Sequence, residues 1–176
     1  SQQEPRLVAH YAASVDNTFE GAAEFIEAYK NESADFHQIV ADMAGITRTQ
    51  AKTINLGLFY GMGKAKLAKE LGITKDKAEN LLRQYGERVP FVKKLATDVS
   101  SSASKYGFIR TIRGRKCRFD MWEPSTFGMN KAMQYEEAKA IYGNNIRRAF
   151  TYKALNRLIQ GSAADQTKQA MIDCYK

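Results

Sequence analysis

Apolar residues recur at intervals of three and four along most of the chain, the spacing that places them on one face of an α-helix. Between Asn17 and Lys30 such a face lies opposite three glutamates, and Asn17 or Thr18 can cap the helix. Glycines and capping threonines divide the same periodicity into further predicted helices. These run from Asp35 to Ala44, ended by Gly45; from Thr47 to Tyr60; from Lys64 to Leu71, ended by Gly72; onward from Thr74; and from Pro90 to near Gly107.

The period changes after Gly107, where FIRTI and KCRFD are short alternating runs on either side of Arg113-Gly114-Arg115. Alternation over a few residues around a glycine-containing turn predicts a small β-hairpin. Helical spacing returns from about Asn130 to the end of the sequence, with a break near Gly143. The predicted fold class is therefore mainly α with a small β-hairpin (α+β).

Length and composition bound the architecture and the partners. A chain of 176 residues with 44% hydrophobic residues can bury one sizeable core. Its formal net charge of +8 favours a polyanionic partner, either nucleic acid or an anionic membrane surface. No apolar run reaches the roughly 18 residues of a membrane span, and the N-terminus lacks the layout of a secretory signal. We therefore expect a soluble intracellular protein.

The cysteines and the first residue add two expectations. Cys117 and Cys174 are far apart with no cluster of His or Cys beside them, so the sequence predicts reduced thiols and no zinc site. The sequence has no initiator Met, and Ser1 opens directly into a patterned segment. We expect it to be cut from a longer chain.

The segment RTQAKTINLGLFYG places Arg48, Lys52, Leu56 and Tyr60 at intervals of four on one broad helix face. One interpretation is a solvated basic end followed by an apolar end that faces the core. The other is a phosphate site, because cations in the first turns are unfavourable beside the positive end of the helix dipole unless an anion is near. The spacing alone leaves both open.

Five segments resemble conserved motifs of family A DNA polymerases, the bacterial polymerase-I and phage-polymerase class. RTQAKTINLGLFYG resembles motif B of that family, RxxxKxxxFGxxYG. The others are SQQEPRLVAHYA, similar to the tail of motif A; NESADFHQ, similar to the GxDIH segment; IRTIRGRKCRF, similar to the ETLxGRRRxL hairpin; and LNRLIQGSAADQTKQAM, similar to INxxxQGTAADxxKxAM. They occur in the family's order and span nearly the whole chain.

The resemblance implies a binding site for the triphosphate of an incoming deoxynucleotide (dNTP). Arg48 and Lys52 match the basic residues of motif B that contact the triphosphate. Lys52 also matches the position proposed to donate a proton to the leaving pyrophosphate, and is the catalytic candidate. His37 matches the histidine that touches the same phosphates, although it could instead be a structural histidine at a helix start.

Three further residues would surround the sugar and the base. Glu4 matches the glutamate that lies under the sugar and excludes a 2′-hydroxyl, and Tyr60 matches the tyrosine beside the templating base. Leu56 departs from the family, which usually has Phe or Tyr there. Because leucine cannot supply a phenol hydroxyl when the 3′-OH is absent, we predict strong preference for deoxynucleotides over dideoxynucleotides.

The resemblance also implies contacts to DNA. Asn156 and Gln160 match the residues that reach minor-groove atoms near the primer end, where acceptors sit similarly in all correct pairs. They could instead be two polar residues on an exposed face. Tyr152 replaces an expected Arg, and Arg147 and Arg148 are candidate substitutes.

Six basic residues and no acid lie between Lys105 and Arg118, with Arg115 the candidate for DNA contact. A solvated hairpin edge and a phosphate-contacting surface are both compatible with this run.

By the same resemblance, residues 1–13 are a palm segment, residues 14–151 the fingers subdomain of a right-hand polymerase with the motif B helix at 47–60, and residues 152–176 a second palm segment. The two aspartates that bind Mg²⁺ in the family would lie outside this sequence, so we expect the isolated chain to be inactive. Expected partners are template-primer DNA, dNTPs and the rest of the polymerase, with no membrane. The expected location is the cytoplasm, that of the bacterial host if a phage encodes the protein.

Two alternatives come from other classes of protein. LAKELGITKDKAENLL, from Leu67 to Leu82, is also typical of a helix-turn-helix, so a DNA-binding module without catalysis is the second hypothesis. A purely structural helical protein is the third, and it leaves the cations at Arg48 and Lys52 unexplained.

Overall fold

The computed structural model describes residues 3–15, 27, 35–59, 62–88, 90–126, 128 and 131–175. Tyr60 and the helix predicted at 17–30, apart from Glu27, lie outside the described residues. The chain divides into two compact units, Ser1–Thr97 and Asp98–Lys176. The mainly helical fold with small antiparallel sheets confirms the predicted fold class.

The first unit is helical throughout its described part. Its helices are α1 (Gln3–Val15), α2 (Phe36–Ala44), α3 (Arg48–Phe59), α4 (Lys64–Leu71), α5 (Lys75–Arg88) and the beginning of α6 (Pro90–Tyr106). Side chains from all six of these helices are almost fully buried and form its core: Val8, Phe36, Val40, Ile54, Leu67, Tyr85, Phe91 and Leu95 among others.

Local capping explains where these helices begin and end. The Asp35 carboxylate accepts hydrogen bonds from the backbone N–H groups of His37 and Gln38 at 2.9 and 3.3 Å, and α2 ends where Gly45 turns left-handed at φ 65°. Thr47 and Gln50 form a capping box, since each side chain bonds the other's backbone N–H. The predicted ends of α2 and α3 are thus confirmed where they are described.

The described part of the second unit contains two antiparallel strand pairs and two α-helices besides the end of α6. Strands β1 (Phe108–Arg110) and β2 (Lys116–Arg118) pair antiparallel, as predicted. A second pair joins β3 (Trp122–Pro124) to β4 (Ile146–Arg148), with α7 (Tyr135–Tyr142) between them in sequence. A short 3₁₀ turn, Thr151–Lys153, leads into the long helix α8 (Ala154–Cys174).

The prediction of helix from about Asn130 onward is wrong for residues 146–148, which form β4. Three residues are too few to show a period, and their strand conformation depends on backbone pairing with β3, where Trp122 faces Arg148. Within the part of the chain that the structure describes, no helix has the length and apolar character needed to cross a bilayer.

Candidate functional site

The face of α3 that carries the basic residues is not its buried face. Arg48 and Lys52 are exposed and Leu56 is half-buried, whereas Ala51, Ile54 and Asn55 are fully buried. The basic end of the stripe, Arg48 and Lys52, is therefore open to solvent. The residues that face the core, such as Ala51 and Asn55, lie one position before Lys52 and Leu56. Leu56 is the one residue of the apolar end that the structure describes, so both interpretations of the stripe stay predictions.

A single carboxylate joins the starts of α2 and α3. Asp35 Oδ2 accepts from Arg48 Nη2 at 2.7 Å and from Arg48 Nε at 2.8 Å, while its Oδ1 caps α2. Burial acts to raise the pKa of Asp35, but the hydrogen bonds from Arg48 and from the backbone outweigh it and lower the pKa below 3.8. Half of the Arg48 side chain remains exposed.

His37 lies at the second position of α2 and belongs to the same group of side chains. Its Nδ1 is 3.2 Å from Asn55 Nδ2, and the side-chain oxygen Oδ1 of Asn55 accepts a hydrogen bond from the Tyr85 hydroxyl. Burial lowers the pKa of His37. The negative charge of Asp35 acts to raise it, and the positive charges of Arg48 and Lys52 act to lower it further. The imidazole is therefore neutral at pH 7.

Sequence reasoning named three residues of this group, His37, Arg48 and Lys52, and missed the two polar residues behind them. Asn55 and Tyr85 are 0% and 1% exposed, and Tyr85 is held as a neutral phenol because burial raises its pKa. The signal in the sequence was an asparagine between two apolar residues inside a helix, where asparagine is a poor helix former.

Glu4, the other candidate beside the sugar, lies in the first turn of α1 and is partly exposed. Among the described side chains, neither Glu4 nor Leu56 joins the hydrogen bonds around His37 and Arg48. Their predicted positions beside a sugar stay predictions.

The turn of the β1–β2 hairpin is fastened to α8. Arg115 Nε lies 2.9 Å from Asp165 Oδ1, and Arg115 Nη2 donates to the carbonyl oxygen of Gly161 at 3.0 Å. The backbone N–H of Ile112 donates to Ser162 Oγ at 3.1 Å. Burial acts to raise the pKa of Asp165, and hydrogen bonds from Thr111 and Arg115 overcome it, so this carboxyl is ionised.

The same helix carries the two predicted minor-groove residues. Asn156 is half-buried and Gln160 is exposed, one turn apart in the first half of α8. Arg113, also in the hairpin turn, donates to Gln169 Oε1 at 2.6 Å. Asn156 and Gln160 thus lie on α8, and Arg115 lies in the β1–β2 turn that is bonded to the same helix.

The candidate arginines of β4 have different surroundings. Arg147 is largely exposed and pairs with Glu123 Oε1 at 2.8 Å. Arg148 is half-buried: its guanidinium lies 4.6 Å from the centre of the Trp122 ring and donates to the Phe119 carbonyl oxygen at 3.0 Å. These contacts give Arg148 a structural role, and its predicted DNA contact stays a prediction.

The helix pair that suggested a helix-turn-helix is present as α4 and α5, joined at Gly72. Its second helix is anchored in the first unit, because Tyr85 of α5 is buried and bonds Asn55 of α3. A recognition helix needs one face open to the major groove. Because Tyr85 is buried and bonds Asn55, one face of α5 belongs to the core beside His37.

The described residues do not fit a metal centre. Among them there is no group of three or more His, Cys, Asp and Glu side chains that could hold an ion. The Asp35 and Asp165 carboxylates are each engaged by an arginine.

Comparisons with known proteins agree with the five motifs. A family model for DNA polymerase family A matches residues 1–176. A DNA-directed DNA polymerase of Pseudomonas phage M6 is 36% identical over 214 residues, covering 99% of this chain and 29% of the phage protein. DNA polymerase I of Pseudomonas aeruginosa is 30% identical over 173 residues, covering 98% of this chain and 17% of that protein.

A solved structure is similar over the same extent. It is the POL domain of Pol1 from M. smegmatis in complex with DNA primer-template and dNTP, with a TM-score of 0.68 and 31% identity over 98% of this chain and 27% of that one. This chain thus spans less than a third of the length of each of these relatives. The family match along the whole chain, together with these identities, shows that the chain belongs to DNA polymerase family A.

Proposed function

We propose that this chain is the part of a DNA-directed DNA polymerase that binds the incoming dNTP and the template-primer duplex while nucleotides are added to the primer 3′ end. The observation that carries the proposal is the group formed by Arg48, Lys52 and His37 at the starts of α2 and α3. The relative from M. smegmatis was solved with these two ligands, dNTP and primer-template DNA.

A triphosphate suits this group for physical reasons. The starts of α2 and α3 present the positive ends of two helix dipoles, which favour an anion. Asp35 engages Arg48 through Nε and Nη2, which leaves other N–H donors of the guanidinium for a phosphate oxygen. Lys52 adds an exposed ammonium one turn along α3. In the proposal Lys52 also supplies the proton to the departing pyrophosphate.

Leu56, Tyr60 and Glu4 complete the proposed dNTP site beside the sugar and base. This assignment is supported by their positions in motifs A and B, with Leu56 next to the buried stripe of α3.

We place the duplex against α8 and the β1–β2 turn. Asn156 and Gln160 would read pair geometry in the minor groove, and Arg115, Arg147 and Arg148 are the candidates for contact to the backbone. The fastening of the turn by Arg115 to Asp165 supports a preformed surface, because a rigid turn loses little entropy on binding.

The predicted division into palm (1–13), fingers (14–151) and palm (152–176) is part of the proposal and is supported by the order of the motifs. No step is assigned to a metal ion, because the described residues offer no ligand set for the Mg²⁺ that such enzymes use. The relatives come from phages and bacteria, which supports action in a bacterial cytoplasm.

Binding of dATP to the chain, measured by titration calorimetry, tests the proposal. Arg48→Ala and Lys52→Ala should each weaken binding about tenfold or more, because a hydrogen bond to a charged group contributes roughly 1.5–3 kcal/mol. Lys64→Ala is the matched control: it removes an exposed lysine at the start of α4 that pairs with Glu79. Equal affinity of the wild type and both variants would refute the proposed site.

The same preparation distinguishes the helix-turn-helix alternative. Specific binding of a palindromic duplex, together with no binding of dATP, would favour a regulator over a polymerase.

A further inference from the structure

We propose that Asn55 and Tyr85 are positioning residues for nucleotide binding, which fix the His37 imidazole with its proton on Nε2 as a donor to the triphosphate. This inference rests on the proposed function, because it concerns the same phosphate site. It adds two residues that touch no substrate and act through His37.

The hydrogen bonds define a direction along the network. Tyr85 is buried on α5, and its hydroxyl donates to the side-chain amide oxygen Oδ1 of Asn55. The other end of that amide is a nitrogen, which carries only donors and lies 3.2 Å from His37 Nδ1. With the Asn55 amide in this orientation, Nδ1 accepts the hydrogen bond, and the single proton of the neutral ring stays on Nε2.

The charge state of His37 makes the tautomer decisive. Burial and the charges of Arg48 and Lys52 lower its pKa, so the ring has one N–H rather than two at pH 7. A phosphate oxygen only accepts hydrogen bonds. Nε2–H attracts it, whereas an Nε2 lone pair would repel it, so Asn55 and Tyr85 determine the sign of this contact.

The location of the network favours this role over simple packing. Asn55 is fully buried in the middle of α3, between the exposed Lys52 and the half-buried Leu56. A buried asparagine costs helix propensity and desolvation, and an apolar residue of similar size would pack at less cost. The network spans three helices and ends on the one residue of the group that has two possible tautomers.

The ring ¹⁵N chemical shifts of His37 test the first step directly. The chain has two histidines, so a His10→Gln background leaves His37 as the only imidazole signal. We expect an unprotonated Nδ1 and a protonated Nε2 in the wild type. Asn55→Asp places a carboxylate oxygen near Nδ1 and should move the ring proton from Nε2 to Nδ1. A proton on Nδ1 already in the wild type would overturn the inference.

Tyr85→Phe tests the link to binding without adding a charge. It removes one hydroxyl, frees the Asn55 amide to rotate, and should give mixed tautomers with about three- to tenfold weaker dATP binding, the effect of one neutral hydrogen bond. Tyr106→Phe is the matched control, since it removes the hydroxyl of an exposed tyrosine on α6 and should change neither quantity.

Two results separate the failures. If the wild type binds dATP and Tyr85→Phe binds it equally well, the positioning role is refuted and the proposed function stands. If the wild type keeps its proton on Nε2 but binds no dATP, the proposed function is refuted and the role of the network in binding falls with it.

Discussion

Replacing Gly161 with alanine tests how closely the hairpin turn is packed on α8. An added Cβ would lie 2.9 Å from Thr111 Cγ2, 3.3 Å from Arg115 Nη2 and 3.7 Å from Cys117 Sγ. The first distance is shorter than van der Waals contact allows. The hairpin must therefore move away from the helix or Thr111 must rotate.

Rotation of Thr111 is hindered. The residue is buried, and its hydroxyl accepts a hydrogen bond from the Arg115 backbone N–H at 3.2 Å. Alanine gains about 1 kcal/mol of helix propensity over glycine, but overpacking typically costs about 1–3 kcal/mol. Movement of the turn also strains the Arg115 bonds to Asp165 and to the Gly161 carbonyl. We expect Gly161→Ala to lower the free energy of unfolding by about 1–2 kcal/mol.

Urea unfolding followed by tryptophan fluorescence measures the loss of stability in the second compact unit, which contains Gly161. Trp122 is the only tryptophan and lies in residues 98–176, as Gly161 does. The double variant Gly161→Ala/Thr111→Ser removes the opposing methyl group and should recover part of the stability. Gly86→Ala is the control: its Cβ meets only Lys93 Cδ at 3.6 Å, so circular dichroism should show a gain of up to about 1 kcal/mol.

Two outcomes would contradict the packing argument. One is a Gly161→Ala chain at least as stable as the wild type. The other is a loss that Thr111→Ser leaves unchanged in the double variant, since the steric conflict would then lie elsewhere.

Three further predictions follow from the same contacts. Because the folded pKa of Asp35 is lowered below 3.8, its ionised form stabilises the fold above about pH 4, and this contribution is lost as the pH falls through the folded pKa. Asp35→Asn keeps a capping oxygen but does not titrate, so the free energy of unfolding should depend less on pH in that window. Circular dichroism at a series of pH values measures this. Arg148→Met should destabilise the second unit by about 1–2 kcal/mol through lost bonding to Phe119, measured by urea unfolding, whereas Arg147→Met should cost less because the Arg147 side chain is largely exposed. Leu56→Tyr in the full-length polymerase should raise incorporation of dideoxynucleotides relative to deoxynucleotides, and an unchanged ratio in primer-extension assays would refute the predicted preference.

Helix ends were predictable because their causes are local. Asp35 caps α2 through N–H groups two and three residues away, and Gly45 and Gly72 supply the left-handed turns that end α2 and α4. The alternation around Gly114 likewise predicted the β1–β2 hairpin. The motifs predict that Arg48, Lys52 and His37 share one site; the structure has them at the starts of α2 and α3, and their binding role stays a prediction.

The sequence by itself determined the helices from α2 to α6, the first hairpin and the family, since capping, periodicity and motif spacing act over a few residues. Only the tertiary structure decided what those elements meet. Asn55 bonds Tyr85 across 30 residues, and Arg115 pairs with Asp165 across 50. Strand β4 likewise exists because it pairs with the distant β3. Such contacts depend on which surfaces pack together, and no local pattern encodes the distant partner of a buried polar side chain.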